Sequence, residues 1–505
     1  MQSPGKQPPS WLSAALAGIV AALVALGVAE LVVATNSVFR SPVVSVGNRV
    51  IDLAPPGLKD FAIETFGTND KLALLIGIGI LLLGYAALVG VLTFRRRLAW
   101  GVLGVALFGA IGAAAAVTEG VALSSLPSVA GALAGIAVLW FLHRGWQGGT
   151  EASESRRRLL AGLGASALLA GGAGAAGLLL QRRFAIDPSA GVLPQVRRPL
   201  PPVPETVSFD IAGLVPFVTP NEDFYRIDTA LTIPQIAPQD YALRIFGMVE
   251  REVTFTYEDL LNRPQVEADI TLTCVSNEIG GRLVGNARWQ GVVLADLLAE
   301  ARPAAGADQI VGRSYDDYTC GFPTAVLADE RPALVALGMN GDPLPAVHGY
   351  PARLVVAGLY GYVSATKWLR EIELTTFDAF DHYWVERGWA TEAPIKTQSR
   401  IDTPSAFAEL PAGRHIIAGV AWAQTRGIEA VEVSIDGGEW QEAELAEALT
   451  DTTWRQWRLP WDVTSGRHTI TVRATDGTGA TQPEERTRPI PDGATGWHQV
   501  VVMGQ

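Results

Sequence analysis

The sequence predicts a multidomain protein in three parts: N-terminal transmembrane helices, a domain of α+β class, and a C-terminal β-sandwich. Three observations predict it. The apolar residues of this 505-residue chain crowd into its first 180 positions, the middle mixes short strand-like and helix-like runs, and the last hundred residues alternate with a period of two between Asp-Gly turns. A chain of this length exceeds a single hydrophobic core and suits about three domains.

Mean hydropathy is +0.23, high for a soluble enzyme. Five stretches, near 12–34, 72–94, 98–118, 126–143 and 159–180, are long enough to cross a bilayer. Gly and Ala dominate the third and fifth, which suits close helix packing but lowers hydropathy, so four spans remain an alternative count. Charge divides at the same border. Up to Arg183 there are 14 Lys and Arg against 8 Asp and Glu; beyond it there are 25 against 43. The acidic part argues against nucleic acid as a partner. Among the short loops, Lys6, Arg95, Arg96, Arg97, Arg144, Arg156, Arg157 and Arg158 fall on one side, and Arg40, Arg49 and Lys59 on the other. That bias puts the amino terminus in the cytoplasm, so five spans put residues after 183 outside the cytoplasmic membrane of a multi-pass, lipid-embedded protein.

Ser155-Arg156-Arg157-Arg158-Leu159-Leu160, followed by a weakly hydrophobic stretch, resembles a twin-arginine export signal set internally; the other reading is a plain positive-inside anchor. A haem between helices needs paired axial ligands, and His143 is the sole histidine before His348, so residues 1–183 read as an anchor. Glu30 and Glu119 mark either a proton or quinone contact or solvated interfacial carboxylates. Residues 184–204, with Pro188, Pro194, Pro199, Pro201, Pro202 and Pro204, predict an extended tether.

Over 205–395, strand-like runs at 241–246, 268–274 and 352–356 mix with short amphipathic helices at 257–261 and 294–301. Over 396–505, strands are expected at 414–421, at 430–435 ending in Asp436-Gly437-Gly438, at 454–459, and at 468–474 ending at Asp476-Gly477.

The chain has two cysteines, Cys274 and Cys320. By itself Cys274, at the end of an apolar run, is a disulfide partner, an inert buried thiol, or a soft metal ligand. Three other segments bear on the choice: Thr219-Pro220-Asn221-Glu222-Asp223-Phe224-Tyr225-Arg226, His348-Gly349-Tyr350-Pro351-Ala352-Arg353, and Lys367-Trp368-Leu369. Together with Leu272-Thr273-Cys274-Val275-Ser276-Asn277 they resemble the molybdopterin domain of the sulfite oxidase family. Gly419-Val420-Ala421-Trp422 and the 431–438 run resemble the immunoglobulin-like dimerisation domain that comes after it there, which implies a homodimer.

The resemblance implies a catalytic molybdenum centre bound by the Cys274 thiolate and by molybdopterin. It implies that His348, Arg353 and Lys367 grip the pterin and its phosphate, helped by backbone amides around Thr366, and that Asn221 with Phe224 or Tyr225 touches the pterin ring. Asn286 and Arg288 serve either the site or the fold. On the substrate side the loop 314–319 offers Asp317 and Tyr318 for proton handling or hydrogen bonding; Cys320 reads as structural. In one respect the chain departs from the family, which sets an Arg soon after Cys-x-x-Asn. Here Glu278 follows Asn277 and the next Arg is Arg282, so either Arg282 compensates or the substrate is not sulfite.

The expected function is two-electron oxygen-atom transfer on a small oxo-anion or oxide of sulfur or nitrogen. The sequence holds no haem-attachment, flavin or iron–sulfur motif, so electrons would pass to a separate carrier, a cytochrome or a quinone-linked membrane protein. Two alternatives stand beside it: a cofactor-bound binding or assembly module without turnover, and a structural membrane protein.

Overall fold

A computed structural model describes residues 8–36, 39–55, 65, 70–118, 122–149 and 151–505. Lys6, Lys59 and Glu119 lie outside the described residues. The chain divides into two compact units, Met1–Ala185 with Ala230–Thr232, and Ile186–Thr229 with Ile233–Gln505.

The first unit is helical: α1 (Trp11–Val33), α2 (Pro42–Leu53), α3 (Asp70–Arg95), α4 (Leu98–Thr118), α5 (Leu126–Gln147) and α6 (Ala152–Gln181). All but α2 are long and apolar enough to cross a membrane, and they coincide with the five expected stretches. Helix α2 has no counterpart among the expected elements. Its 12 residues are too few for a span, and Pro42 sits in its first turn, where a missing N–H costs nothing.

Helix α1 packs against α3, α5 and α6. Glycines allow the approach. A methyl group at Gly18 would strike the Ala86 carbonyl, one at Gly90 the Ala14 carbonyl, one at Gly131 the Ala25 carbonyl, and one at Gly177 the backbone of Glu30. Glu30 is half-buried and bonded: Gln181 donates to its Oε2 at 2.7 Å and to its carbonyl at 3.1 Å, and Ser41 donates to Oε1. The arginine run lies on the first turns of α6, where Arg158 pairs with Glu154 at 2.6 Å.

The second unit holds nineteen strands among the described residues. The first ten are β1 (Ala242–Gly247), β2 (Val253–Thr256), β3 (Val266–Thr273), β4 (Val284–Val293), β5 (Gln309–Ser314), β6 (Thr319–Pro323), β7 (Ala333–Met339), β8 (Asp342–Pro343), β9 (Arg353–Val356) and β10 (Leu369–Thr375). Helices α7 (Tyr257–Leu261), α8 (Leu294–Ala301) and α9 (Gly361–Ser364) are interspersed. One sheet runs β2-β1-β10-β5-β6, with β1 parallel to β10; another runs β3-β4-β7-β8, with β9 on β7. Strand β7 is buried along its whole length. Helix α7 opens with a reciprocal cap between Thr256 and Asp259.

The remaining strands are β11 (Gln398–Thr403), β12 (Glu409–Leu410), β13 (Gly413–Trp422), β14 (Ile428–Ile435), β15 (Gln441–Glu442), β16 (Glu444–Leu445), β17 (Arg455–Val463), β18 (Gly466–Asp476) and β19 (His498–Gly504). They form two facing sheets, β11-β13-β17-β16 and β12-β19-β18-β14-β15. Ile417, Val431, Val433, Trp457, Ile470, Val472 and Val502 fill the space between them. The sandwich is stitched to the free edge of β3: Thr271 donates to the Thr452 carbonyl at 3.0 Å, Trp454 N–H to Thr271 Oγ1 at 2.7 Å, and Gln424 to the Thr271 carbonyl at 3.0 Å.

The proline-rich stretch is not a free tether. Pro188–Ala190 forms a 3-10 turn, and the residues from Pro194 to Pro201 lie along β4 and β3. Gln290 donates to the Pro194 carbonyl at 2.8 Å, Arg288 to that of Pro201 at 2.9 Å, and Leu200 N–H to Glu267 at 2.7 Å. Proline denied it sheet pairing, but its carbonyls still accept.

Candidate functional site

Strand β3 delivers Cys274 into a turn. Its N–H donates to the Leu283 carbonyl at 2.9 Å, and its carbonyl accepts from Asn277 N–H at 3.0 Å. Asn277 then accepts from Leu283 N–H at 2.8 Å, closing the loop on itself. Both cysteines are free and buried, which removes the disulfide alternative. Cys274 opens into a cavity of about 110 Å³ lined also by Phe224, Tyr225, Asp228, Tyr318, Arg353 and Lys367. Among the described residues no three His, Cys, Asp or Glu side chains cluster, so the cavity offers a metal one thiol rather than a protein cage.

The segments carrying Arg353 and Lys367 are woven together. Gly349 has φ 110°, and a methyl there would press on the Lys367 backbone at 3.0 Å. Trp368 Nε1 donates to the Ala346 carbonyl at 2.8 Å, and Leu354 N–H to that of Thr366 at 2.9 Å. Arg353 is 3% exposed. Its guanidinium meets only carbonyls, those of His348 at 3.1 Å, Leu354 at 3.4 Å and Ala365 at 3.5 Å, and stands 4.9 Å from the Trp289 ring. Among the described residues it has no carboxylate partner. Burial lowers it to about 10. Lys367 pairs with Asp228 at 3.1 Å, yet burial holds it down to about 8.

Burial raises the Cys274 thiol, against the pull of hydrogen bonds from Ser276 and of the Lys367 charge. A buried guanidinium facing carbonyls alone is costly unless an anion completes it. The donor set therefore fits an anionic, planar group carrying a thiophilic metal: cations for its charge, aromatic faces for its ring, one sulfur for the metal.

The other expected residues divide. Phe224, Tyr225 and Tyr318 line the cavity. Tyr318 donates to the Tyr362 carbonyl at 2.8 Å, and burial keeps it protonated. Asp317 is corrected: its side chain is 64% exposed, turns away at φ 64° and pairs with Arg370 at 3.5 Å. Its neighbour Asp316 lines the cavity instead, with Oδ1 buried and unbonded, and burial raises its carboxyl. Asn221 does not reach the cavity through its amide, which is bonded to the Met339 carbonyl at 3.3 Å and to Asn340 at 2.9 Å. His348 also stands behind the wall: Nε2 donates to the Asn221 carbonyl at 2.8 Å, Nδ1 is buried without a partner, and burial lowers the ring to about 4. The Thr366 hydroxyl meets Cys320 Sγ at 2.6 Å, and burial pushes that thiol up to about 11.

Asn286 and Arg288 belong to the fold, bonded to Thr271 and Phe217 and to Asp269. Glu278 and Arg282 are both exposed and line no part of the cavity. The sequence reading missed Ile227, Asp228, Asp316, Trp384 and Trp389. A cluster of aromatics at 382–389 was the available signal for the last two.

A cavity thiol beside buried cations, in an α+β domain followed by a sandwich, has the layout that the resemblance to pterin-cofactor oxidoreductases implies. A family model described as oxidoreductase molybdopterin binding domain matches residues 230–384, and one described as Mo-co oxidoreductase dimerisation domain matches 391–505. Mitochondrial sulfite oxidase of Mus musculus is 29% identical over 317 residues, covering 53% of this chain and 58% of that protein. Sulfite oxidase of Gallus gallus is 28% identical over 319 residues (53% and 68%), and an NADH nitrate reductase of Phaseolus vulgaris 26% over 333 residues (53% and 38%). Among solved structures, the sulfane dehydrogenase SoxCD from Paracoccus pantotrophus superposes with TM-score 0.50 at 25% identity, covering 56% of this chain and 80% of that one. The chain spans 58% of the length of the mammalian relatives it matches. It belongs to the sulfite oxidase family of molybdopterin oxidoreductases, whose cofactor is molybdenum held by molybdopterin.

Proposed function

We propose that the chain is a membrane-anchored oxidoreductase that performs two-electron oxygen-atom transfer on a small sulfur substrate outside the cytoplasmic membrane. The observation that carries this reading is the buried Cys274 thiol opening into the same cavity as Arg353 and Lys367. When bound, the cofactor supplies a two-electron redox couple. Cys274 Sγ would hold the metal as a thiolate. Arg353 and Lys367 would hold the pterin phosphate, with backbone amides near Thr366. His348 would act through the Asn221 carbonyl, steadying the segment that carries Phe224 and Tyr225.

Transfer of one oxygen from water releases two protons and two electrons, and the reverse consumes them. Asp316, rather than Asp317, is the group in this reading that takes or gives a proton at the cavity wall, with Tyr318 as a hydrogen-bonding neighbour. The electrons pass to or from a separate carrier, a cytochrome or a quinone-linked membrane protein.

The domains in this reading are an anchor over 1–183, a linker over 184–204, the pterin domain over 205–395, and an immunoglobulin-like domain over 396–505 that pairs two copies. The helices α1, α3, α4, α5 and α6 cross the bilayer with the amino terminus in the cytoplasm, and the 155–160 run serves twin-arginine export of the folded domain. Labelling of cysteines introduced at 144–158 from the outside would contradict that orientation.

The cofactor test is metal and pterin analysis of the detergent-purified protein beside Cys274→Ser. Near-stoichiometric molybdenum and pterin, with the metal lost or altered in the variant, is the expected result. Clean folded protein with neither would remove the oxidoreductase reading.

A further inference from the structure

Resting on that reading, we infer that the cavity takes an uncharged organic sulfur compound, a thioether or its sulfoxide, and rejects the sulfite dianion. The first observation is the count of cations. Arg353 and Lys367 are the two that line the cavity among the described residues, and the proposed function assigns both to the cofactor's own anionic groups. The cations nearby are engaged or turned away: Arg226 is exposed and pairs with Asp228 at 2.8 Å, Arg370 pairs with Asp317 and Glu371, and Arg282 is exposed outside the cavity. A dianion moved from water into this wall would lose its hydration with no cation in exchange.

The second observation is the sign of what remains. In the wall Asp228 is already met by Lys367 and Arg226, whereas Asp316 Oδ1 is buried with no hydrogen-bond partner. A carboxyl so placed repels an anion when charged. When neutral it donates to a sulfoxide oxygen, and its raised affinity for a proton favours that state.

The third observation is the rim. Ile227 is 39% exposed. Half-buried Trp384 and Trp389 meet edge to face at 5.9 Å, and Tyr362 stands 5.7 Å from Trp389. These apolar faces suit alkyl groups flanking a sulfur, and sulfur itself packs well against aromatic rings. The reaction balances: a thioether and one water give the sulfoxide, two protons and two electrons, and the reverse consumes them. A single S–O bond forms or breaks, the protons exchange with Asp316 and solvent, and the electrons go to or come from a one-electron carrier.

The test uses full-length holoprotein with measured molybdenum and pterin. Tryptophan fluorescence is titrated with tetrahydrothiophene 1-oxide and with sulfite, and turnover is followed with reduced methyl viologen for the sulfoxide and with ferricyanide for sulfite. Quenching and viologen oxidation by the sulfoxide, with neither response to sulfite, are expected; Trp389→Phe should remove most of the quenching. Ile227→Arg, which adds a cation at the exposed rim, should tighten sulfite binding at least tenfold. Loaded protein that binds or oxidises sulfite and ignores the sulfoxide overturns the substrate class alone, as does loaded protein that responds to neither. Folded protein without molybdenum overturns the oxidoreductase reading and this inference with it.

Discussion

Arg400, in the first strand of the sandwich, donates a 3.0 Å hydrogen bond to the carbonyl of Gly281, inside the loop that begins at Cys274. Two more ties reach the same loop from the same domain. Asn277 bonds Gln398 at 3.4 Å, and His498 packs against Gly280, which has φ 74° and no room for a methyl. The thiol is thus aimed by a domain that contributes nothing to the cavity wall.

Arg400 is also paired at 2.6 Å with Asp402, both side chains nearly buried. Arg400→Met strands the carboxylate and releases Gly281, so a loss of about 3–5 kcal/mol is expected on chemical denaturation. Alkylation of Cys274 in cofactor-free protein should quicken together with it. Unchanged alkylation would mean that the loop holds itself.

Neighbouring aspartates should behave oppositely. Asp316→Asn is expected to slow turnover of the loaded protein by about a hundredfold or more and to flatten its pH dependence, as for loss of a proton-transfer group. Asp317→Asn breaks only an exposed pair with Arg370 and should stay within about twofold. Equal effects of the two substitutions would return the role to the loop as a whole.

Acid should weaken the second unit. Burial lowers His348, His382 and His498 to about 4 each, below the ordinary 6.5. The unfolded chain therefore takes up protons between pH 6.5 and 4 that the folded chain refuses. Stability is fully present above 6.5 and is lost as pH falls toward 4, with a slope of up to about 1.4 kcal/mol per pH unit for each ring. Neither ring nitrogen of His382 has a hydrogen-bond partner. His382→Phe should therefore make the denaturation midpoint less steep in this window, and an identical pH profile would exclude that ring as a contributor.

In the helical unit, Gly18→Ala should cost about 1–3 kcal/mol, because the methyl meets the Ala86 carbonyl of the facing helix. Gly171→Ala in α6 meets nothing within 4 Å and should be neutral or stabilising by up to about 1 kcal/mol. Thermal melts in detergent separate the two; matching melts would deny the close contact.

Local pattern made some of this legible. Helices 257–261 and 294–301 and the five apolar stretches were readable because a cap, an amphipathic period or sheer length lies within one segment. Helix α2 escaped because its dozen residues, though amphipathic, are too few to stand out as a span. Cys274, Arg353 and Lys367 were found through motif order. Asp316 and Asp317 cannot be told apart by type, since a positive φ at the second turns it outward and only the fold reveals that. Trp384 and Trp389 join Ile227 across more than 150 positions, a proximity that no run of residues encodes.

The glycine-mediated seating of α1 bears on biosynthesis. This helix precedes its three neighbours in the chain, and they are completed only as translation passes residues 95, 147 and 181. Its naked backbone faces must wait, partner by partner, until α6 docks. A truncation before α6 would leave α1 without one of its three partners.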